Sequence, residues 1–128
     1  MAEFIQYDPA DVRAPAGGYS MGLQVSGHRR LLFVSGQVPA RPDGTLPEGF
    51  AAQAEQAWVN VVTVLTEAGM GVEDLVKVTT FLTDRNQAAA NREIRARFLR
   101  HNRPASTVMI AETLEPGWLL EIEAVAAR

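Results

Sequence analysis

The chain has 128 residues, 47% of them hydrophobic and 21% charged, the balance of one globular domain and not of a disordered tail. The absence of cysteine excludes disulfides, thiolate catalysis, Cys-based zinc sites and iron–sulfur clusters. A net charge of −3 argues against nucleic acid as a partner, because phosphate binding needs a positive field. No apolar run approaches the ~20 residues of a membrane span, and the start of the chain lacks a basic-then-apolar leader, so a cytoplasmic protein with no membrane partner is expected.

Phe4 to Tyr7 reads as a short strand ended by Asp8-Pro9, and Ala14 to Gly18 as a loop of Pro and Gly. Ser20 to Ser26 alternates, with Met21, Leu23 and Val25 on one side. Gly27 to Arg30 is predicted to be a hairpin turn, with Leu31 to Ser35 as its returning strand. Arg41-Pro42-Asp43-Gly44 is turn chemistry. From Phe50 to Ala68 the period changes: Phe50, Ala54, Ala57, Trp58, Val61, Leu65 and Ala68 recur at spacings of three and four, an amphipathic helix, with Gly69 placed for a left-handed cap. Leu75 to Leu82, rich in β-branched residues, predicts a central strand. Lys77, the sole lysine, alternates within it, which argues against Schiff-base chemistry.

Asp84 or Asn86 can cap a second helix, with Ala90, Ile94 and Phe98 on one face. Arg95, Arg97 and Arg100 near its end suit the negative pole of the helix dipole. Pro104 stops it, and strands are predicted over Thr107 to Glu112 and Trp118 to Ala126. Helices between strands imply crossovers, hence an α+β mixed sheet with two helices packed on one face. The other face needs a cover, and a neighbouring copy of the chain is the simplest one.

His28 and His101 have no partner at ligand spacing, so no metal site is expected. No G-x-S-x-G, G-x-G-x-x-G or P-loop spacing occurs, which leaves hydrolase-elbow and nucleotide readings without support. Glu121 and Glu123 share one face of the last strand, roughly 7 Å apart, too close along one strand to flank a glycosidic bond. They form either a solvated strand face or an acid/base for water, since an apolar surround such as Leu120 to Val125 favours a neutral carboxyl. Tyr19 and Ser35 stand beside glycines. A Ser followed by Gly36 at a strand end can offer a hydroxyl and an N–H to a ligand.

Ala14-Pro15-Ala16 through Tyr19, Leu32 through Pro39, Val78 through Asp84, Pro104-Ala105 and Leu120 through Ala126 together resemble, in order and over nearly the whole chain, the Rid (YjgF) family of reactive intermediate deaminases. The resemblance implies a single Rid-like domain over residues 1–128, a chorismate-mutase-like fold and a homotrimer with small-molecule ligands in clefts between subunits. It implies hydrolysis of enamine or imine products to 2-keto acids and ammonia without a cofactor. By the same resemblance Glu121 is the catalytic residue and Tyr19, Ser35 and Gly36 bind substrate, as does Asn91 or Arg92 of the second helix. The family's carboxylate-anchoring arginine falls at Ser106, so a substrate other than a simple 2-imino acid is implied, or else a non-catalytic binding role. A guanidinium gives a bidentate, charge-assisted pair where a serine gives one neutral bond. The endoribonuclease label sometimes attached to the family sits badly with the acidic charge balance.

Overall fold

In a computed structural model, residues 2–128 are described. Their strands and helices run β1 (Glu3–Tyr7), β2 (Gly22–Ser26), β3 (Leu31–Gln37), α1 (Phe50–Glu67), β4 (Leu75–Leu82), α2 (Ala88–Leu99), β5 (Ala105–Ile110) and β6 (Leu120–Ala127). The main sheet has the order β3-β6-β4-β5. Its β3/β6 and β6/β4 pairs are antiparallel and its β4/β5 pair is parallel, which is the mixed sheet that helical crossovers require.

The apolar stripe of α1 is buried as its spacing demands: Ala54, Ala57, Trp58, Val61 and Leu65 have no exposed surface. They share one core with Val34, Val78, Leu82, Leu120, Ile122, Ala124 and Ala126 from alternate strand positions and with Ile94 and Leu99 of α2, so both helices lie on one face. Trp58 stacks on Phe98 at 5.7 Å between ring centroids, joining the helices directly. Burying a side chain such as Leu65 or Ile122 contributes about 1.5–3 kcal/mol, and the helix-side face of the sheet supplies a row of them. Gly69, at φ +70°, ends α1 in a Schellman motif in which the Met70 amide donates to Leu65 O (2.8 Å) and the Gly69 amide to Thr66 O (3.0 Å).

Three expectations shift. The predicted β2–β3 hairpin is replaced by pairing of β2 with β1 in a separate two-stranded ribbon, while β3 joins β6. Beyond Gly27 (φ +70°), the amides of Arg29 and Arg30 both donate to Arg128 O at 2.9 Å, so the end of β6 captures the chain before it can fold back on β2. Asp84 does act as a cap, accepting from the Asn86 amide at 2.8 Å, but on a single 3-10 turn, and α2 begins at Ala88. Finally, β5 starts at Ala105, directly after Pro104, because its first residue already pairs with Lys77.

Candidate functional site

The residues singled out in the sequence fall into two groups on opposite sides of the main sheet. Register sorts them. Ser106 lies opposite Val78, a core residue, and so faces the helices; Glu121 lies opposite Phe81 and faces away from them.

On the helix side, a cavity of about 380 Å³ opens between α2, the start of β5 and the loop before β2. Tyr19, Asn91, Arg92 and Ser106 line it, joined by Arg13 and Arg95. The loop is fastened to the α2–β5 connection at several points. Ser20 Oγ donates to Arg103 O (2.6 Å), the Ser20 amide to Pro104 O (3.2 Å) and Arg103 Nη2 to Tyr19 O (2.8 Å). Asp8 Oδ1 accepts from the Met21 amide at 2.8 Å. These bonds hold Tyr19 in place, and its hydroxyl accepts from the Ala16 amide (3.2 Å) to close the loop on itself. Asn91 and Arg92 both line the cavity: Asn91 is buried in its wall and Arg92 is exposed at its edge.

Arg95 departs from expectation. Arg97 follows the surface pattern and pairs with Glu55 of α1 at 2.9 Å, but Arg95 is only 5% exposed and turns into the cavity, where Nη1 donates to Ser106 Oγ at 3.5 Å. It stands four residues, one turn, after Asn91, on the same helix face. Among the described residues no carboxylate forms an ion pair with Arg13, Arg92 or Arg95. Burial, and secondarily the charge of Arg92, pulls the Arg95 guanidinium below the ordinary arginine range, with Tyr19 acting weakly in the other direction. Sequence reasoning placed Arg95 with the helix dipole and passed over Arg13. The available signal was the spacing from Asn91 combined with an anchor position occupied by serine.

On the open side, alternation along β6 buries Leu120 and Ile122 and leaves Glu121 and Glu123 on the far face. The ladder between β3 and β6 breaks between Val34 and Gln37, a bulge that takes Ser35 and Gly36 out of regular pairing, with Gln37 Nε2 bonded back to Ser35 O at 3.1 Å. Glycine at position 36 leaves room for the Glu121 carboxylate in this placement: a Cβ there would fall inside the carboxylate and force that side chain to move. The carboxylate is thus laid across the glycine backbone, beside Phe81 and Leu114, which border a second cavity of about 240 Å³. Within one chain, then, Tyr19, Arg92 and Ser106 come together on one side of the sheet and Gly36 and Glu121 on the other, while Ser35 borders a separate hollow of the open face with Lys77, Thr79 and Glu123.

This arrangement has relatives. The family described as "Endoribonuclease L-PSP" matches residues 11–128. A 2-iminobutanoate/2-iminopropanoate deaminase of Escherichia coli (strain K12) is 37% identical over 125 residues, covering 93% of this chain and 95% of that one. Protein HMF1 of Saccharomyces cerevisiae is 36% identical over 115 residues, 89% of this chain and 87% of its own. The crystal structure of YyfB from Yersinia pestis, a protein of unknown function of the conserved Rid family, superposes with a TM-score of 0.86 at 26% identity, covering 98% of both chains. The chain belongs to the Rid (YjgF) family.

Proposed function

We propose that this protein is a cofactor-independent hydrolase of reactive imines or enamines, working in clefts between the subunits of a homotrimer. The observation that carries the reading is the division of the site. The acid/base half (Gly36, Glu121) and the anion-binding half (Tyr19, Asn91, Ser106 with the arginines) lie on opposite sides of one sheet, so a complete site needs the open face of one copy and the helix side of its neighbour. Apolar surface supports the same assembly: on the open face Phe33 is 73% exposed and Leu31 51%, which is costly to leave in water. The deaminase relative from Escherichia coli supplies the reaction class.

In this mechanism the ligand's carboxylate docks among the guanidiniums and Ser106, and its imine carbon is presented to a water held by Glu121 of the adjoining copy. Glu121 takes a proton from that water as the oxygen bonds to the imine carbon, giving a tetrahedral carbinolamine. Glu121 then gives the proton to nitrogen, and as the carbon–nitrogen bond breaks it takes the hydroxyl proton, so that a keto acid and ammonia leave. No redox partner is needed, since water supplies the only oxygen. Ser106 favours a second reading, a binding protein that keeps the cleft without the reaction, because the position implied to hold the anchoring arginine carries a neutral hydroxyl. The test is direct: the purified full-length chain is supplied with 2-iminobutanoate and 2-iminoglutarate, generated in place by an amino-acid oxidase, and imine loss is followed by semicarbazide trapping. Acceleration over the buffer rate for either imine is expected, and light scattering should give three times the chain mass. A concentration-independent monomer removes the shared site, and ligand binding without acceleration supports the second reading.

A further inference from the structure

We propose that the α2 cavity recognises a dicarboxylate, so that, on the imine-hydrolase reading above, the substrates are imines of acidic amino acids. Among the described residues three arginines border this space, Arg13 from the loop before β2 and Arg92 and Arg95 from α2, and no Asp or Glu lines it. Arg95 is 5% exposed, and among the described residues its one hydrogen bond is the 3.5 Å contact to the neutral Ser106 hydroxyl. A guanidinium carries five N–H donors in a planar fork, so most of its capacity is free for a ligand. A buried charge without a counter-charge is expensive unless something with the opposite sign arrives.

The loop backbone lies against both arginines of α2: a Cβ at Gly17 would stand 3.5 Å from Arg95 Nη2 and 3.6 Å from Arg92 Cδ. One carboxylate, seated on Arg95 and Ser106, neutralises one of three positive charges. Arg92 and Arg13, exposed at the edge, then remain as a pair for a second carboxylate on the same small molecule. The cavity, about 380 Å³, lies near the lower end of the ~300–1,000 Å³ typical of small-ligand sites, which suits a short diacid. Arg95 also supplies from the helix the charge that position 106 lacks on the strand.

Calorimetric titration of the full-length protein with 2-oxoglutarate, 2-oxobutanoate and inorganic phosphate, beside turnover of 2-iminoglutarate and 2-iminobutanoate, tests this. The expected result is binding of 2-oxoglutarate at least ~10-fold tighter than 2-oxobutanoate, as one further charge-assisted pair provides. Arg92→Gln, an exposed change that leaves the core intact, should bring the two oxo acids to parity, so that the ratio of their affinities and not either affinity alone is the readout. Equal affinities in the wild-type protein overturn the proposal, as does phosphate binding as tightly as 2-oxoglutarate, or no binding at all. A dicarboxylate preference without turnover of either imine leaves the recognition in place and removes the hydrolase reading. Turnover without a preference between the imines does the reverse.

Discussion

The two sides of the main sheet hold polar residues in different ways. On the open side, Glu121 sits on a strand with pairing partners to left and right, and its carboxylate rests against a glycine at a bulge in the next strand. On the helix side, the arginines come from a helix and from a loop whose Tyr19–Ser20 end is fastened to the α2–β5 connection. A group that must meet a reacting atom gains from the first kind of support, because strand geometry leaves it little freedom. An anion anchor tolerates the second kind: a long guanidinium can reach the same space from a different backbone position. The pair Ser106 and Arg95 is an instance, with the charge carried on α2 and the serine left on β5.

The largest effect that separates the two sides is expected from Glu121→Gln. If the open side performs the proton transfer, turnover falls ~10²-fold or more, while affinity for an oxo acid changes less than about 2-fold, since the amide keeps the shape and an acceptor oxygen. Unchanged turnover would show that Glu121 is a solvated strand carboxylate. Gly36→Ala reaches the same group indirectly. The new methyl displaces the carboxylate, and a loss of ~10- to 100-fold in kcat is expected with KM nearly kept, because a misplacement near 1 Å costs that much. A fall in KM-controlled binding instead would place Gly36 on the ligand side of the comparison.

Much of this was legible beforehand, and the exceptions have causes. The spacing of Trp58, Val61 and Leu65 specifies one buried helix face, and the alternation of Leu120, Glu121 and Ile122 puts the glutamate opposite the core; both patterns match what is observed. The β2–β3 hairpin was misread because Gly27 fits a turn within a hairpin and a turn between sheets equally well. What decides is the Arg128 carbonyl, about a hundred residues away in sequence, and no local pattern reports it. Arg95 was misread for a similar reason. Helix periodicity leaves it near the polar boundary, and its burial comes from a Pro- and Gly-containing loop with no periodicity of its own.

A smaller effect is expected from moving the anchor back to the strand. Ser106→Arg alone brings a second guanidinium against the buried one at Arg95, so the variant should be less stable by ~1–3 kcal/mol and bind oxo acids no better. Combined with Arg95→Gln, the repulsion disappears and a single anchor is restored on β5. The double variant should then recover stability to within about 1 kcal/mol of the wild type and retain binding of 2-oxobutanoate. The coupling energy from the double-mutant cycle measures how far the two positions share one role. Additive effects would mean that they do not.

The smallest expected change is in stability, from Arg95→Met. Burial lowers the Arg95 pKa, so below its folded value the guanidinium stays protonated in both states and carries a desolvation cost in the folded one. The sign follows from proton counting. Between the lowered folded pKa and the ordinary arginine value the unfolded chain binds more protons, so this group makes stability rise with pH only in that alkaline window. At neutral pH its contribution is a constant penalty, and a methionine of similar length removes it while filling the space. Replacing an unpaired buried charge by an apolar side chain gives a gain of ~1 kcal/mol at the low end of comparable cases, or about 3–5 °C in Tm for a chain of this size. The same variant should lose most of its 2-oxoglutarate affinity, whereas Glu121→Gln should leave that affinity and the Tm nearly unchanged. A thermal melt and a titration on each variant therefore give opposite signatures for the two sides of the sheet. A lower Tm for Arg95→Met would mean that the guanidinium is a structural tie, held for the fold and not for a ligand.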